Sequence, residues 1–445
     1  MKTDSPSYLP QQAPGNTPDR SKAPETRTAM PLPLPPVDKT VLDNGITLVT
    51  LNRPDLEIAR FSIFTTGGYA ETPSHAVADV LAELRTEGIP GAGAARIAGI
   101  VDFSGSWMSN APGTHHTSLT LFALDKKAHM VLPLAADMIF RPTFPEAELD
   151  TTVRRLAARG EVKYATAPVR ASMASDRLTF GENHPLADNV TPDSIRAVTR
   201  QNLVDFHSRF TDPANVTIFV AGPASPDRMD YLNRVFGSVR PDNPVPFPGL
   251  SLKPFSPAAP GTVATVTVAD APQSAIVMTV PAIPRTHPDY LALRLTAMAL
   301  GGYFGSRLSQ NIREDKGYTY GVSAALLGFK EGSAVKIATQ CDTAYTPAVL
   351  DQIALEMRRL ATEPLRPDEL QRLKQTEITS LIDISDSPFS VIDFYQTMAV
   401  AGLPDDYFQR RLNAVETITP ETIAEMAAKY LDPDRVLTAI AGPKA

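Results

Sequence analysis

The stretch GGYFGSRLSQNIREDKGYTYG, residues 301–321, carries a guanidinium at Arg313 and two phenols at Tyr318 and Tyr320. A guanidinium can donate to peptide carbonyl oxygens, and a phenol can donate to the oxyanion of a tetrahedral intermediate. Arg313 and Tyr320 stand seven residues apart, a spacing that shares one face of a helix, but Gly317 argues against an unbroken helix. The spacing predicts a helix that stops near Lys316 and Gly317, with Arg313 in its last turn, and then an extended segment opening at Tyr320. Both side chains can then point into one cavity. The structural alternative is an Arg favoured by the helix macrodipole and a Tyr that merely opens a strand. Tyr318 is the competing phenol, two residues earlier and so on the same face of an extended chain.

A second set of polar groups lies in HAVADVLAELRTEG, residues 75–88. Val77, Val80, Leu81 and Leu84 follow helical spacing over about 75–87. Asp79 and Glu83 fall between them, either as a weak carboxylate pair for a metal such as Mg²⁺ or Ca²⁺ or as the solvated face of an amphipathic helix. The histidines are 75, 115, 116, 129, 184, 207 and 287, and no pair of them has zinc-peptidase spacing with an intervening Glu. His115 and His116 are strand neighbours expected on opposite faces, so they are not expected to chelate together. His184, before Pro185, reads as a turn residue, and Trp107 either lines a peptide chamber or fills the core. Gly301, Gly302 and Gly305 do not form a phosphate loop; they permit close packing or bend the chain ahead of Arg313.

The elements that must hold these groups occur twice. FTDPANVTIFVAGP, residues 210–223, and YLDPDRVLTAIAGP, residues 430–443, align at an offset of 220 with six identities in fourteen positions. Each copy reads as a helix, a DP stop, an apolar strand and a Gly-Pro break. The first half offers Asn44-Gly45 as a two-residue hairpin signal, strands at 58–65 and 118–124, and helices near 126–140 and 146–163. The second half offers strands in VATVTVA, QSAIVMTV and 333–340. Its helices are 288–300 and one with Val349, Ile353, Met357 and Leu360 on a single face. The expected fold is α+β: two homologous domains in tandem, each a mostly antiparallel sheet covered by helices, facing each other across a cleft. The expected boundaries are a Pro-rich disordered or extended tail, 1–36, with nine prolines; a domain at 37–239; a Pro-rich linker at 240–260; and a domain at 261–445.

Bulk composition narrows the partners. With 42 Lys and Arg against 49 Asp and Glu, the net charge is −7, which argues against nucleic acid. One cysteine, Cys341, excludes an internal disulfide. No apolar run reaches the roughly 18 residues of a membrane span, and the N-terminus has no apolar signal core. A soluble protein of the cytoplasm or periplasm is expected, with the compartment left open.

The sequence resembles the pitrilysin, or insulinase-like, zinc metallopeptidases over about residues 39–443. The marks are VLDNGITLV, RPTFPEAEL at 141–149, GENHPL at 181–186 and the Arg313–Tyr320 segment. The resemblance implies that Arg313 and Tyr320 reach an active site from the second half. It also implies a His-x-x-Glu-His zinc motif on the helix after the second strand, where two His bind zinc and the Glu is general base. Setting Gly88 on the family's glycine puts Asp79 and Glu83 at the two His positions and Ala82 at the base. For the distant ligand the chain offers Glu161, with Ala157 and Ala158 nearer the family's acidic position. In the family this pattern marks a non-catalytic subunit. The expectations are therefore no cofactor in this chain, zinc in a homologous partner subunit, and a peptide or unfolded polypeptide as substrate. The competing readings are a scaffold or binding protein of the same fold and an atypical metal hydrolase using Asp79, Glu83 and Glu161.

Overall fold

The computed structural model describes residues 21, 29–187, 190–210, 212–241, 249–250 and 252–443. Most of the expected tail (1–20 and 22–28) and the linker positions 242–248 and 251 lie outside the described residues.

The first half begins with strands β1 (Asp38–Val41), β2 (Thr47–Asn52) and β3 (Ile58–Thr66), then helix α1 (His75–Leu84). A short ribbon, β4 (Gly88–Ile89) and β5 (Ala92–Gly93), leads into α2 (Ala94–Ser104), β6 (Trp107–Pro112) and β7 (His116–Leu124). Helices α3 (Ala128–Phe140), α4 (Glu146–Tyr164), α5 (Ala167–Phe180), α6 (Pro192–Arg196) and α7 (Arg200–Ser208) follow, then β8 (Val216–Gly222) and α8 (Pro226–Leu232). The second half contains β9 (Val263–Thr267), β10 (Ser274–Ala282), α9 (Tyr290–Gly301), a π-helical segment (Ser309–Asp315), β11 (Val322–Gly328) and β12 (Ser333–Cys341). It closes with α10 (Thr346–Thr362), α11 (Pro367–Asp386), α12 (Pro388–Ala401), α13 (Tyr407–Thr417), α14 (Pro420–Tyr430) and β13 (Leu437–Gly442).

The two main sheets share one plan. The first runs β1-β2-β8-β3-β7-β6, and the second, read from its other end, runs β9-β13-β10-β12-β11. The pairings β2·β8 and β9·β13 are parallel, and every other pairing in both sheets is antiparallel. The strands that share the 220-residue offset, β8 and β13, hold equivalent places in that order.

Alternation along each strand sends successive side chains to two faces, and both faces are covered. Leu48, Phe61, Ile63, Leu119 and Leu121 pack outward against Val101 of α2 and Leu132 of α3. Their neighbours Val49, Leu51, Phe219 and Ala221 meet Val391 and Ile392 of α12, a helix of the other half. The second sheet repeats this: Ile276, Met278 and Val335 pack outward on Leu293 and Ile353, while Ala275, Val277 and Ala441 meet Ala167 and Ala171 of α5. Each half thus lends a helix to the other's inner face, and the Ala-rich contact lets α5 approach closely. The space between the halves is accordingly lined by these two helices as well as by the sheets. The described end of the tail joins this packing: Leu34 lies against the inner cluster, and Tyr395 Oη donates to Pro35 O at 3.0 Å.

Three local expectations need correction. The Asn44-Gly45 turn is not a two-residue loop. Leu42 N donates to Ile46 O (2.9 Å) and Gly45 N to Leu42 O (2.9 Å), so three residues form the loop, with Gly45 at φ 96° in the left-handed position. Helix α1 ends at Leu84, not near 87, because the chain must turn to bring Gly88 against Pro145, where a Cβ would lie 2.6 Å from the ring. Trp107 does not fill the core: it is 53% exposed and stacks on Phe122 with centroids 4.4 Å apart. No helix among the described residues is long and apolar enough to cross a membrane.

Candidate functional site

Helix α1 buries Val77, Val80, Leu81 and Leu84 against α4 and α7. That leaves Asp79 and Glu83 beside a cavity of about 200 Å³ also bordered by Asn110, Arg159, Lys163 and Tyr164. Asp79 Oδ1 accepts from Tyr69 Oη at 2.7 Å. Glu83 Oε2 accepts from Arg155 Nη2 at 2.9 Å, and Arg159 Nη1 stands 3.7 Å from its Oε1. Arg155 and Arg159 are one turn apart on α4, so both reach the same carboxylate. Ala82 is 2% exposed, borders the same cavity and carries no group that could move a proton. Glu161 is paired with Arg196 and Ala157 is buried, so neither offers a third ligand here. This donor set does not fit zinc: it lacks His and Cys, and guanidiniums already supply the positive charge beside Glu83. Among the described residues, no group of three His, Cys, Asp or Glu is arranged to hold a metal ion.

The Arg313–Tyr320 segment is built as its glycine suggests. The helical segment stops at Asp315, Lys316 caps it, and Gly317 takes φ 65°, a left-handed turn suited to glycine. Upstream, a Cβ on Gly301 would lie 2.7 Å from Ala324 N, so this glycine lets α9 close against β11. Arg313 places its guanidinium 4.0 Å from the centre of the Phe304 ring, with Glu314 at 3.5 Å. Thr319 then ties the chain to β12: its Oγ1 donates to Gln340 O at 2.6 Å and accepts from Gly321 N at 3.1 Å.

This anchoring separates the two phenols. Strand β11 begins only at Val322, so period-two alternation does not govern residues 318–320, and the expectation that they share surroundings fails. Tyr318 packs on the second-half core and stacks on Tyr345 at 4.7 Å. Tyr320 is 93% exposed, and its hydroxyl has no hydrogen-bond partner among the described residues. It borders a groove of about 610 Å³ between α5 and the inner face of β10 and β12, with Ser172 and Lys336 in its walls. Arg313 is not part of that lining, so the groove receives the Tyr while the Arg sits beside Phe304.

A third cluster carried no signal in residue spacing. His115 Nδ1 lies 2.8 Å from Glu71 Oε1, and His115 Nε2 lies 2.7 Å from Glu331 Oε1. All three side chains are at most 5% exposed, and Glu331 comes from the second half. Burial opposes a charge on the ring, but two flanking carboxylates outweigh it and raise the His115 pKa to about 9. His116 stacks on Phe64 at 4.9 Å and is held down to about 4 by burial and by the charge on His115. Sequence alone marked the His-His pair, but the partners lie 44 and 216 residues away.

Comparison with known proteins follows the same outline. Residues 197–377 match the peptidase M16 inactive domain. An uncharacterized zinc protease of Mycobacterium leprae is 28% identical over 316 residues, covering 68% of this chain and 69% of that protein. One from Streptomyces coelicolor is 24% identical over 368 residues, covering 79% and 78%. Among solved structures, a peptidase M16 inactive domain from Pseudomonas fluorescens superposes with a TM-score of 0.81 at 22% identity, covering 92% of this chain and 98% of that one. A protease from Helicobacter pylori gives 0.82 at 16% identity, covering 92% and 100%. Complex III2 from Candida albicans gives 0.72 at 14%, covering 92% and 96%. At these identities the three structures speak for the fold.

Proposed function

This chain is a relative of the M16, or pitrilysin-type, zinc peptidases with residues 197–377 matching the family's inactive domain, and we propose that it is the non-catalytic subunit of a two-chain zinc peptidase. In this reading a homologous partner holds the zinc and hydrolyses the peptide. This chain contributes Tyr320 as an oxyanion donor and Arg313 as a donor to substrate carbonyls. The observation that carries it is the contrast in spent and unspent groups. The carboxylates at the zinc-motif positions are taken up by Tyr69, Arg155 and Arg159, while the Tyr320 hydroxyl stands open at a groove edge.

The same saturation disfavours a metal hydrolase built on Asp79, Glu83 and Glu161. A scaffold of the same fold is the competing reading, supported only by the likeness in fold to Complex III2. Co-expression with a similar-sized homologue carrying His-x-x-Glu-His, followed by a peptide-cleavage assay of each chain and of the mixture, separates the two. Cleavage that requires both chains supports the proposal. A partner fully active alone, or a mixture with no activity, removes it.

A further inference from the structure

Residues 30–37 read MPLPLPPV, and this described end of the tail is more regular than a linker. Met30, Leu32, Leu34 and Pro35 each precede a proline, which pushes them into the extended or polyproline II region, and each proline fixes its own φ there. A polyproline II helix repeats every three residues. Burial follows that period: Pro31 is buried and Leu34 and Val37 are half-buried, while Leu32, Pro33, Pro35 and Pro36 are exposed. A strand would have buried alternate residues instead. One face of the segment, 31–34–37, is therefore turned to the protein.

What this face meets belongs to both halves. Leu34 and Val37 pack on the cluster where Val49, Leu51 and Phe219 of the first sheet meet Val391 and Ile392 of α12. Leu34 also packs on a second cluster, where Phe394 and Met398 of α12 meet Tyr407 and Phe408 of α13. Tyr395 packs against both clusters and donates from its Oη to Pro35 O at 3.0 Å. Aromatic-lined grooves are how folded domains read polyproline segments, and the carbonyls of such a segment, unbonded within their own helix, are open to a donor. A few residues on, Lys39 Nζ lies 2.9 Å from Asp405 Oδ1, between α12 and α13. Both groups are exposed, so this pair sets register more than it adds stability.

We propose that the Tyr395 face of α12 and α13 is a polyproline-binding site, that its occupant is this chain's own segment 31–37, and that the contact clasps the first half to the second. The segment leads directly into β1, an edge strand of the first sheet, so its tether is short and its effective concentration at the site is high. Its proline-restricted backbone loses little conformational freedom on docking. Helix α12 already lends Val391 and Ile392 to the first sheet, and the docked segment ties the α13 side of the second half to the same sheet. Undocking leaves the second half freer to swing from the first. The proposal rests on this packing and not on the peptidase reading.

Leu32 is 71% exposed and Cys341, the one native thiol, is buried, so a nitroxide on Leu32→Cys in the full chain reports on the segment alone. Its paramagnetic resonance spectrum should be that of a restrained label. Adding Leu34→Asn should raise the mobile fraction by roughly tenfold or more. Tyr395→Phe should raise it by roughly 2- to 10-fold. Alanine at the exposed positions 33, 35 and 36 keeps the 31–34–37 contacts but removes the stiffness, and should raise it by roughly tenfold or more. A free peptide of residues 29–37 at several millimolar should displace the segment and mobilise the label; this arm needs no further variant and so decides the matter if one fails to fold. Between nitroxides on Ser109→Cys of β6 and Ser323→Cys of β11, both exposed, the distance distribution should broaden when Leu34→Asn is added. A mobile label in the parent protein, no release by Leu34→Asn, or no displacement by the peptide overturns the polyproline site. Unchanged mobility with the three alanines makes the contact merely apolar and overturns it too. An unchanged distance distribution overturns the clasp.

Discussion

Helix α1 and the Arg313–Tyr320 segment, the stretches whose sequence resembles the two parts of a pitrilysin-type active site, differ in what their polar groups are doing. On α1 each carboxylate has a partner from its own half: Tyr69 for Asp79, and Arg155 with Arg159 for Glu83. In the second-half segment the anchoring bonds are made by Thr319, and the neighbouring Tyr320 hydroxyl is left without a partner among the described residues. A carboxylate bound by guanidinium is neutralised in place, whereas an exposed phenol held on an anchored backbone remains able to donate to something that arrives. The difference teaches that the two parts of the proposed function, the metal-motif positions and the open phenol, can be tested separately in one chain.

The strongest way to break this comparison is Tyr320→Phe. In the two-chain complex it should lower turnover by roughly 10²- to 10³-fold, with folding and pairing unchanged. Tyr318→Phe should leave turnover near wild type, since that ring is stacked on Tyr345. Equal activity with Phe at 320, or a loss confined to Phe at 318, would falsify the assignment. Next in size is the metal experiment. Asp79→His, Ala82→Glu and Glu83→His together restore the spacing His-x-x-Glu-His, yet Arg155 and Arg159 remain beside it. Removing both arginines from that triple variant should raise zinc affinity by roughly 10- to 100-fold in a competitive chelator titration. An unchanged affinity would mean that the guanidiniums do not govern the site.

The Glu71–His115–Glu331 cluster supplies a pH test of how the halves are held. His115 has a folded pKa raised to about 9 from an ordinary 6.5, so the folded state binds the proton more tightly than the unfolded chain. Its contribution to stability is therefore fully present below about pH 6.5 and is lost as pH rises through about 9. Urea midpoints should fall across that window in the wild type and change less in His115→Gln. Identical slopes would show that this histidine does not link the halves energetically. The smallest effect is expected at Glu83. Its ion pairs are substantially exposed, so Glu83→Gln should cost less than about 1 kcal/mol in chemical denaturation. A larger loss would make α1 a structural keystone and weaken its reading as a relic of a metal site.

Much of the architecture was legible in the amino-acid order because it depends on local periodicity. The 220-residue offset predicted two related halves, and β8 and β13 occupy equivalent places in their sheets. Apolar spacing on α1 and α10 and the break at Gly317 follow from neighbours within a turn or two, where side-chain direction is set by the backbone repeat. The absence of His at 79 and 83 is likewise a fact of sequence. What only the tertiary structure decided are contacts between residues far apart. These are the exchange of α5 and α12 across the halves, Arg155 and Arg159 on Glu83, and Glu331 on His115. Even the distinction between Tyr318 and Tyr320 was tertiary, since it rests on Thr319 bonding to Gln340 across the sheet. Periodicity tells which face of an element is apolar, but which element covers that face is chosen by the packing of the whole chain.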